Sequence, residues 1–463
     1  MSSVRQIPRL VIAATGSGAG KTTIAIGLMA ALRARGLVVA AFKCGPDYLD
    51  PTYHARVTGA VSHNLDGWMM GRDAVIATFS RAAHHADLAV IEGMMGLFDG
   101  ASPIGDEGSS AEIAKWLAAP AILVVDASGM ARTIAAVAHG FARFDPALRL
   151  AGLICNRVGS RGHLDLLRTA SQEVPVLGGL PEHAAAAFPE RHLGLYSANE
   201  KHVPRELLDQ GGFLAAEWFD LDAIIALARS APPLKIDAEI HDRRSNVAAR
   251  RCRIGVALDD AFHFYYEDNL KRLETLGAEI VNFSPVRDRE LPAVDGLYFG
   301  GGYPEALAHE LSSNRSMIDA VRAFARRGGP VYAECGGLMY LTRALRTLDG
   351  SSFPMAGLIP ADALMHDRLQ ALGYVEVETV APSILGAVGL RFRGHQFRYS
   401  TLAPEPAGVE RVYQVRPRWG SDFAEGYRAE NLLATYVHAH WASNPSAAAG
   451  LVESCATFRD RNR

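Results

Sequence analysis

The stretch RLVIAATGSGAGKTTIAIGLMAALRAR, residues 9–35, decides the fold of the first half of the chain. Residues 9–14 form a short β-like apolar run and 15–20 a glycine-rich turn. Ile24, Leu28, Ala31 and Leu32 then recur at helical spacing, and the pattern stops at Gly36. A strand, a glycine turn and a helix in this order aim backbone N–H groups and a helix N-terminus at one point, as phosphate oxygens require. Lys21 is placed to reach the β- and γ-phosphates, and the Thr22 hydroxyl to ligate Mg²⁺. The GxxxxGK(S/T) pattern asks for glycine where this chain has Thr15, but Gly20-Lys21-Thr22 and the strand–loop–helix context are intact. Gly16, Gly18, Ala19, Gly20, Lys21, Thr22 and Thr23 are the candidate ATP-binding residues.

Further buried-strand patterns follow at 37–42, 88–92, 121–126 and 151–156, with helical stretches between them. Fully apolar strands alternating with helices argue for a parallel sheet covered on both faces. From 232 to 251 the text turns polar after a Pro pair and has no sustained period, so it reads as a linker. A second βα series occupies 253–258, a helix near 266–276, and then 278–283, 295–302, 329–335 and 432–438. The expectation is two α/β domains, 1–231 and 252–463.

The bulk numbers narrow the class. With 463 residues, 49% hydrophobic and 21% charged, the chain is long enough for two or more buried cores. A net charge of −3 gives no basic field for nucleic acid or an anionic membrane. Cysteines 44, 155, 252, 335 and 455 are odd in number and widely spaced, and suggest neither a disulfide framework nor a zinc site. No run approaches the roughly 18 apolar residues needed to span a bilayer. The N-terminal apolar run ends in the glycine turn, unlike a signal peptide, so the cytoplasm is the expected location.

Carboxylates surround the phosphate cradle in the sequence. LAVIEGMMGLFDG, 88–100, ends a strand in Glu92, where an acid can hold a metal, and carries Asp99 in the following glycine-rich loop. FKCGPDYLDPTYH, 42–54, follows the second strand with Lys43, Asp47 and Asp50 at the carboxyl edge of the sheet, where α/β ligands bind. Asp50 reads equally well as a helix cap.

The second half carries YAECGGLMYL, 332–341. Cys335 stands between a strand and a helix with Ala333 and Gly337 two residues to either side, as a sharp nucleophile turn requires. A buried cysteine serving as a small hydrophobe is the alternative. ATYVHAHW, 434–441, reads as a late strand with His438 and His440 on one face. His438 is the candidate proton carrier for the thiol, with His440 secondary. The backbone amides of GGGYPE, 300–305, supply Gly301 and Gly302, which with Gly336 form a candidate oxyanion hole.

Together TGSGAGKTT, KCGPDYLDPTYH, VIEGMMGLFDG, YFGGGYPE, AECGGLMYL and TYVHAHW resemble the cobyrinic acid a,c-diamide synthase family, including its hydrogenobyrinic acid branch. The matches span nearly the whole chain in the family's order. The resemblance implies a P-loop, dethiobiotin-synthetase-like ATP domain followed by a class I glutaminase domain of flavodoxin-like type. It implies glutamine hydrolysis at Cys335 and transfer of the ammonia to a and c acetate carboxylates of a corrinoid, activated by ATP as acyl phosphates. Mg²⁺ with ATP is implied, and L-glutamine as nitrogen donor. By motif position, Asp47, Glu92 and Asp99 handle metal, substrate carboxylate or acyl phosphate, with Thr22, Asp47 and Glu92 as metal residues. Lys43, Tyr48 and Leu49 lie toward the corrinoid, and Asn156 toward adenine. A homodimer is the assembly to consider.

Two positions depart from related patterns. General class I glutaminases carry an acid two residues after the histidine, where this chain and its branch have none: the position is His440. In GHQFRYS, 394–400, Gln396 stands where relatives usually carry Glu. Competing readings are cobyric acid synthase, which amidates four other side chains, a P-loop switch ATPase, and a stand-alone glutamine hydrolase or binding module.

Overall fold

The computed structural model describes residues 3–181, 204–236 and 249–462. The chain divides into two compact units, Met1–Arg243 and Arg244–Arg463.

The described residues of the first unit form strands β1 (Ser3–Arg5), β2 (Arg9–Ala14), β3 (Val39–Cys44), β4 (His63–Leu65), β5 (Leu88–Glu92), β6 (Ala121–Asp126), β7 (Leu150–Val158), β8 (Val176–Pro181) and β9 (Leu234–Ile236). Seven make one parallel sheet in the order β4-β3-β5-β2-β6-β7-β8. Every residue of β2, β3 and β5 is buried, as strands covered on both faces must be. Helix α1 (Lys21–Ala34) turns Ile24, Leu28 and Leu32 into a core shared with Leu10, Ile12 and Val90. Each such side chain fully removed from water contributes about 1.5–3 kcal/mol. β1 pairs antiparallel with β9, so 234–236, read in the sequence as linker, is a strand of this unit. Residues 237–248 of that stretch lie outside the described residues.

The functional edge follows from the strand order. β2 is central, and β5 and β3 lie beside it on one side. Their carboxyl ends bring the glycine turn, Glu92 and Lys43 to one place, the usual ligand edge of an open parallel sheet. Lys43 and Glu92 are register partners across β3 and β5.

The second unit contains β10 (Cys252–Ala257), β11 (Ala278–Phe283), β12 (Gly296–Phe299), β13 (Val331–Glu334), β14 (Thr342–Arg346), β15 (Ser352–Pro354), β16 (Ile359–Met365), β17 (Ala371–Thr379), β18 (Arg391–Arg398), β19 (Ser400–Ala403), β20 (Glu410–Pro417), β21 (Phe423–Ala429), β22 (Leu432–Thr435) and β23 (His438–His440). A ten-stranded sheet runs β11-β10-β12-β13-β22-β21-β20-β17-β18-β23. Its first five strands are parallel and the remainder antiparallel. A smaller sheet, β15-β14-β16-β19, stands apart. The parallel half matches the βα series read from the sequence. The antiparallel extension between 371 and 429 was not legible there.

One expectation is corrected. The late strand read over 434–441 is two strands, β22 and β23, which pair at different places in the sheet. Side chains take the backbone bonds at the break: Glu425 accepts the Tyr436 N–H at 2.6 Å, and the Thr435 hydroxyl accepts the Val437 N–H at 3.0 Å. With those amides satisfied, the chain leaves one ladder and joins another. No described helix is long and apolar enough to cross a membrane.

Candidate functional site

In the first unit the glycine turn is shaped for close approach. Gly20 holds φ 89°, and a Cβ there would lie 2.0 Å from Asn156 Nδ2, so only glycine fits. Asn156 fixes the turn by donating from Nδ2 to the Ala19 carbonyl at 3.0 Å. Gly18 is exposed, Gly16 and Thr23 are half-buried, and Lys21 begins α1. The Lys21 ammonium donates to the Met95 carbonyl at 3.0 Å, in the loop that follows Glu92.

Behind the turn sits a buried charged cluster. The Thr22 hydroxyl donates to Glu92 Oε1 at 2.7 Å and lies 3.4 Å from Asp50 Oδ2. Lys43 Nζ is 2.6 Å from Asp50 Oδ2 and 3.0 Å from Glu92 Oε1, and also donates to the Gly93 carbonyl. His54 Nε2 meets Glu92 Oε2 at 2.6 Å, and its Nδ1 meets the Ser62 hydroxyl at 3.1 Å. Burial opposes the Lys43 charge, but Asp50, Glu92 and Asp47 together hold its pKa above the ordinary lysine value. Burial and then Asp50 push Glu92 toward its neutral form; Lys43 and His54 outweigh them and leave its pKa below the usual range.

The sequence named some of this cluster and missed some. Glu92, Thr22 and Lys43 meet, whereas Asp47 turns to the backbone: its Oδ1 accepts the N–H groups of Leu49 at 2.8 Å and Asp50 at 3.0 Å. These bonds brace the turn that leads into helix α2 (Asp50–Thr58), and Asp50 is the acid beside Thr22 and Lys43. His54 was not anticipated. Asp50 and His54 are four apart on α2 and therefore share a face, which is the signal that could have found them. Tyr48 and Leu49 are buried at the start of this segment. Asp99 is exposed, and its Oδ2 braces the loop by accepting the Gly96 N–H at 2.9 Å.

In the second unit Cys335 sits between β13 and the helix Gly336–Leu341 with φ 48° and ψ −100°, a strained backbone for a residue with a side chain. The turn is pinned: the Cys335 N–H donates to the Thr435 carbonyl at 2.7 Å, and the Gly337 N–H to the Gly300 carbonyl at 3.0 Å. A Cβ at Gly337 would fall 2.5 Å from the Phe299 carbonyl oxygen, so the small residue read from the sequence is obligatory. The thiol itself is nearly enclosed, at 7% exposure, with its sulfur 3.9 Å from the Phe397 carbonyl.

The glycine turn 300–302 lies against Gly336, the residue after Cys335, and against His438. A Cβ on Gly336 would be 3.0 Å from the Gly302 nitrogen, and one on Gly301 would be 2.5 Å from His438 Cε1. Burial, and then Glu305, push the Cys335 thiol up to about 12, against the opposing pull of Arg398. Burial pushes His438 down to about 3 and His440 down to about 4. The ring of His440 lies against Tyr266, with centroids 4.6 Å apart. His395, absent from the sequence reading, stacks on His438 with centroids 4.9 Å apart and planes 17° apart. Gln396 is buried beside it, and its Nε2 has no hydrogen-bond partner among the described residues.

Each unit matches a known family. Residues 10–195 match the CobQ/CobB/MinD/ParA nucleotide binding domain, and residues 253–446 the CobB/CobQ-like glutamine amidotransferase domain. Over nearly the full length the chain is 53% identical to cobyrinate a,c-diamide synthase of Leptospira interrogans, covering 97% of this chain and 99% of that one. Identity is 46% to the protein of that name from Syntrophotalea carbinolica, covering 97% and 98% of the two chains. It is 41% to the one from Priestia megaterium, covering 98% of each. The chain belongs to the cobyrinate a,c-diamide synthase family.

Proposed function

We propose that this enzyme amidates the a and c acetate carboxylates of a cobyrinic or hydrogenobyrinic acid, using ATP and glutamine, within cobalamin biosynthesis. The observation that carries the reading is the pairing of two chemistries in one chain. One unit holds a phosphate cradle backed by Thr22, Lys43, Asp50 and Glu92; the other holds a strained cysteine elbow and a buried histidine that border the same glycine turn.

At the elbow the resting pair is neutral thiol and neutral imidazole, given the directions of their pKa values. Proton transfer from Cys335 to His438 then accompanies attack of the sulfur on the side-chain amide carbon of glutamine. The Gly302 and Gly336 amides face the developing oxyanion, a contribution worth about 10²–10³ in rate for each well-placed donor. The proton returns to the leaving nitrogen, ammonia departs, and water hydrolyses the thioester to glutamate.

At the cradle the substrate carboxylate attacks the γ-phosphorus of ATP, ADP leaves, and ammonia displaces phosphate from the acyl phosphate. A free carboxylate is a poor electrophile, and the acyl phosphate supplies its leaving group. Lys21 draws charge from the transferring phosphoryl group. No group of three or more His, Cys, Asp or Glu forms a metal cage among the described residues. Mg²⁺ brought in with ATP needs only one or two protein oxygens, and Thr22 with Asp50 or Glu92 suits it by donor type. When bound, it neutralises phosphate charge. A homodimer and a cytoplasmic location remain part of the proposal.

Mass spectrometry of each corrinoid after incubation with ATP, Mg²⁺ and amide-labelled glutamine tests this directly. Two labelled nitrogens in the product are expected. Four would favour the cobyric acid type of reaction, and ATP turnover indifferent to glutamine and corrinoid would favour a switch ATPase.

A further inference from the structure

His440 occupies the place where other class I glutaminases carry an acid, and its ring is turned to Tyr266. The neighbour of His438 is instead His395. The two are register partners across β18 and β23, and their rings lie nearly parallel at 4.9 Å. Nδ1 of His395 is 3.0 Å from the hydroxyl of Tyr266, which is itself buried. The strand carrying His438 is held separately, since Asn269 donates to the Ala439 carbonyl at 2.8 Å and accepts the Trp441 N–H at 2.9 Å.

We propose that His395 is the positioning residue for glutamine hydrolysis: tethered to Tyr266, its ring is the flat support that sets the tilt of His438 toward Cys335. The proposal rests on Cys335 being the nucleophile. A planar stacked neighbour restricts ring tilt, which is what the absent acid would otherwise do through a hydrogen bond. Burial, and then His438 and His440, hold His395 well below the ordinary histidine range, so it presents an uncharged face. Such a face fixes the imidazole without competing for the proton that Cys335 gives up.

The test measures glutamine hydrolysis by the full chain. His395→Ala is expected to lower kcat about 10–100-fold, the scale on which loss of a partner orienting a functional histidine acts. KM for glutamine should stay within about threefold, because binding is not what His395 serves. His395→Phe keeps a flat ring but also loses the Tyr266 tether, so its kcat should fall only about as far as that of Tyr266→Phe, well short of the loss in His395→Ala. Tyr266→Phe, lacking only the tether, should lose about fivefold, the rate equivalent of one hydrogen bond. If His395→Ala does not fold, the Phe variants carry the test by the same criteria. Wild-type kcat in His395→Ala, equal losses in the Ala and Phe variants, or KM rising in step with the loss would overturn the proposal. Cys335→Ala is run beside them. Retained hydrolysis in that variant overturns the underlying assignment of the nucleophile, a result separate from any outcome at His395.

Discussion

His54 Nε2 lies 2.6 Å from Glu92 Oε2, and neither side chain reaches solvent. The pair closes the cluster from the side opposite Thr22, whose hydroxyl takes Glu92 Oε1. Removing His54 leaves a buried carboxylate oxygen short of a partner. His54→Ala should destabilise the first unit by about 1.5–3 kcal/mol, the range for hydrogen bonds to charged groups, read from denaturant unfolding. Glu92→Gln should abolish amidation with either glutamine or ammonium as nitrogen source. Turnover retained in that variant would remove Glu92 from the chemistry.

Asp47 and Asp50 should separate cleanly. Asp50 faces Thr22 and Lys43, whereas Asp47 accepts two backbone N–H groups at the start of α2. Asp50→Asn is expected to cost at least about 10² in kcat for amidation, as an electrostatic partner of the transition state would. Asp47→Ala should cost about 1–3 kcal/mol of stability through the two backbone bonds it loses, with a smaller effect on rate. Parallel kinetics and thermal unfolding distinguish them, and the reverse ranking of rates would contradict the assignment.

Cys335→Ala should lose glutamine-driven amidation and retain amidation driven by high ammonium, because only the nitrogen supply is removed. Both activities falling together in a folded variant would refute that division of labour. Cys335→Gly should be equally inactive with glutamine but more stable than the alanine variant. The φ of 48° and ψ of −100° cost about 1–3 kcal/mol for a residue with a Cβ, and glycine relieves that strain.

Glu334 gives a pH dependence of known sign. Its carboxyl accepts the hydroxyls of Tyr332 and Tyr298 and the Ala439 N–H, and burial pushes its pKa up to about 7 from 4.5. A raised folded-state value means the unfolded chain loses this proton first. The contribution to stability is therefore complete below about 4.5 and is lost as pH rises to about 7. Relative to Glu334→Gln, the wild-type second unit should lose up to about 3 kcal/mol across that window. Denaturant titrations of both proteins at either end measure it, and a flat difference would show that Glu334 titrates normally.

Legibility in the sequence tracked how local each feature is. The first-unit strands at 9–14, 88–92 and 121–126 were read with the boundaries they have, because an apolar run bounded by turns is a local signal. The elbow at Cys335 was also local, since Gly337 has to be small for its own turn to close. His54 and His395 were harder because their partners are distant in the chain: Glu92 lies 38 residues from His54, and Tyr266 lies 129 from His395. Which of two nearby acids braces the turn before α2 is settled by backbone direction, which composition does not encode. The antiparallel strands from 371 to 429 were missed because half of their residues face solvent or carry charge and so lack a continuous apolar run.

The break at Tyr436–Val437 has a mechanical consequence. β22 belongs to the parallel half of the large sheet, and β23, two residues on, pairs with its far antiparallel edge. One short stretch of chain is thereby tied to both ends of the run β21, β20, β17 and β18, through β22 at one end and β23 at the other. A slip of one residue at either seam would have to be absorbed at the other, through only two connecting residues. His438 is the first residue past that joint, three residues from Thr435, whose carbonyl takes the Cys335 N–H, so its place near the cysteine strand is fixed by that pairing on one side and by β18 on the other rather than left to the flexibility of a loop.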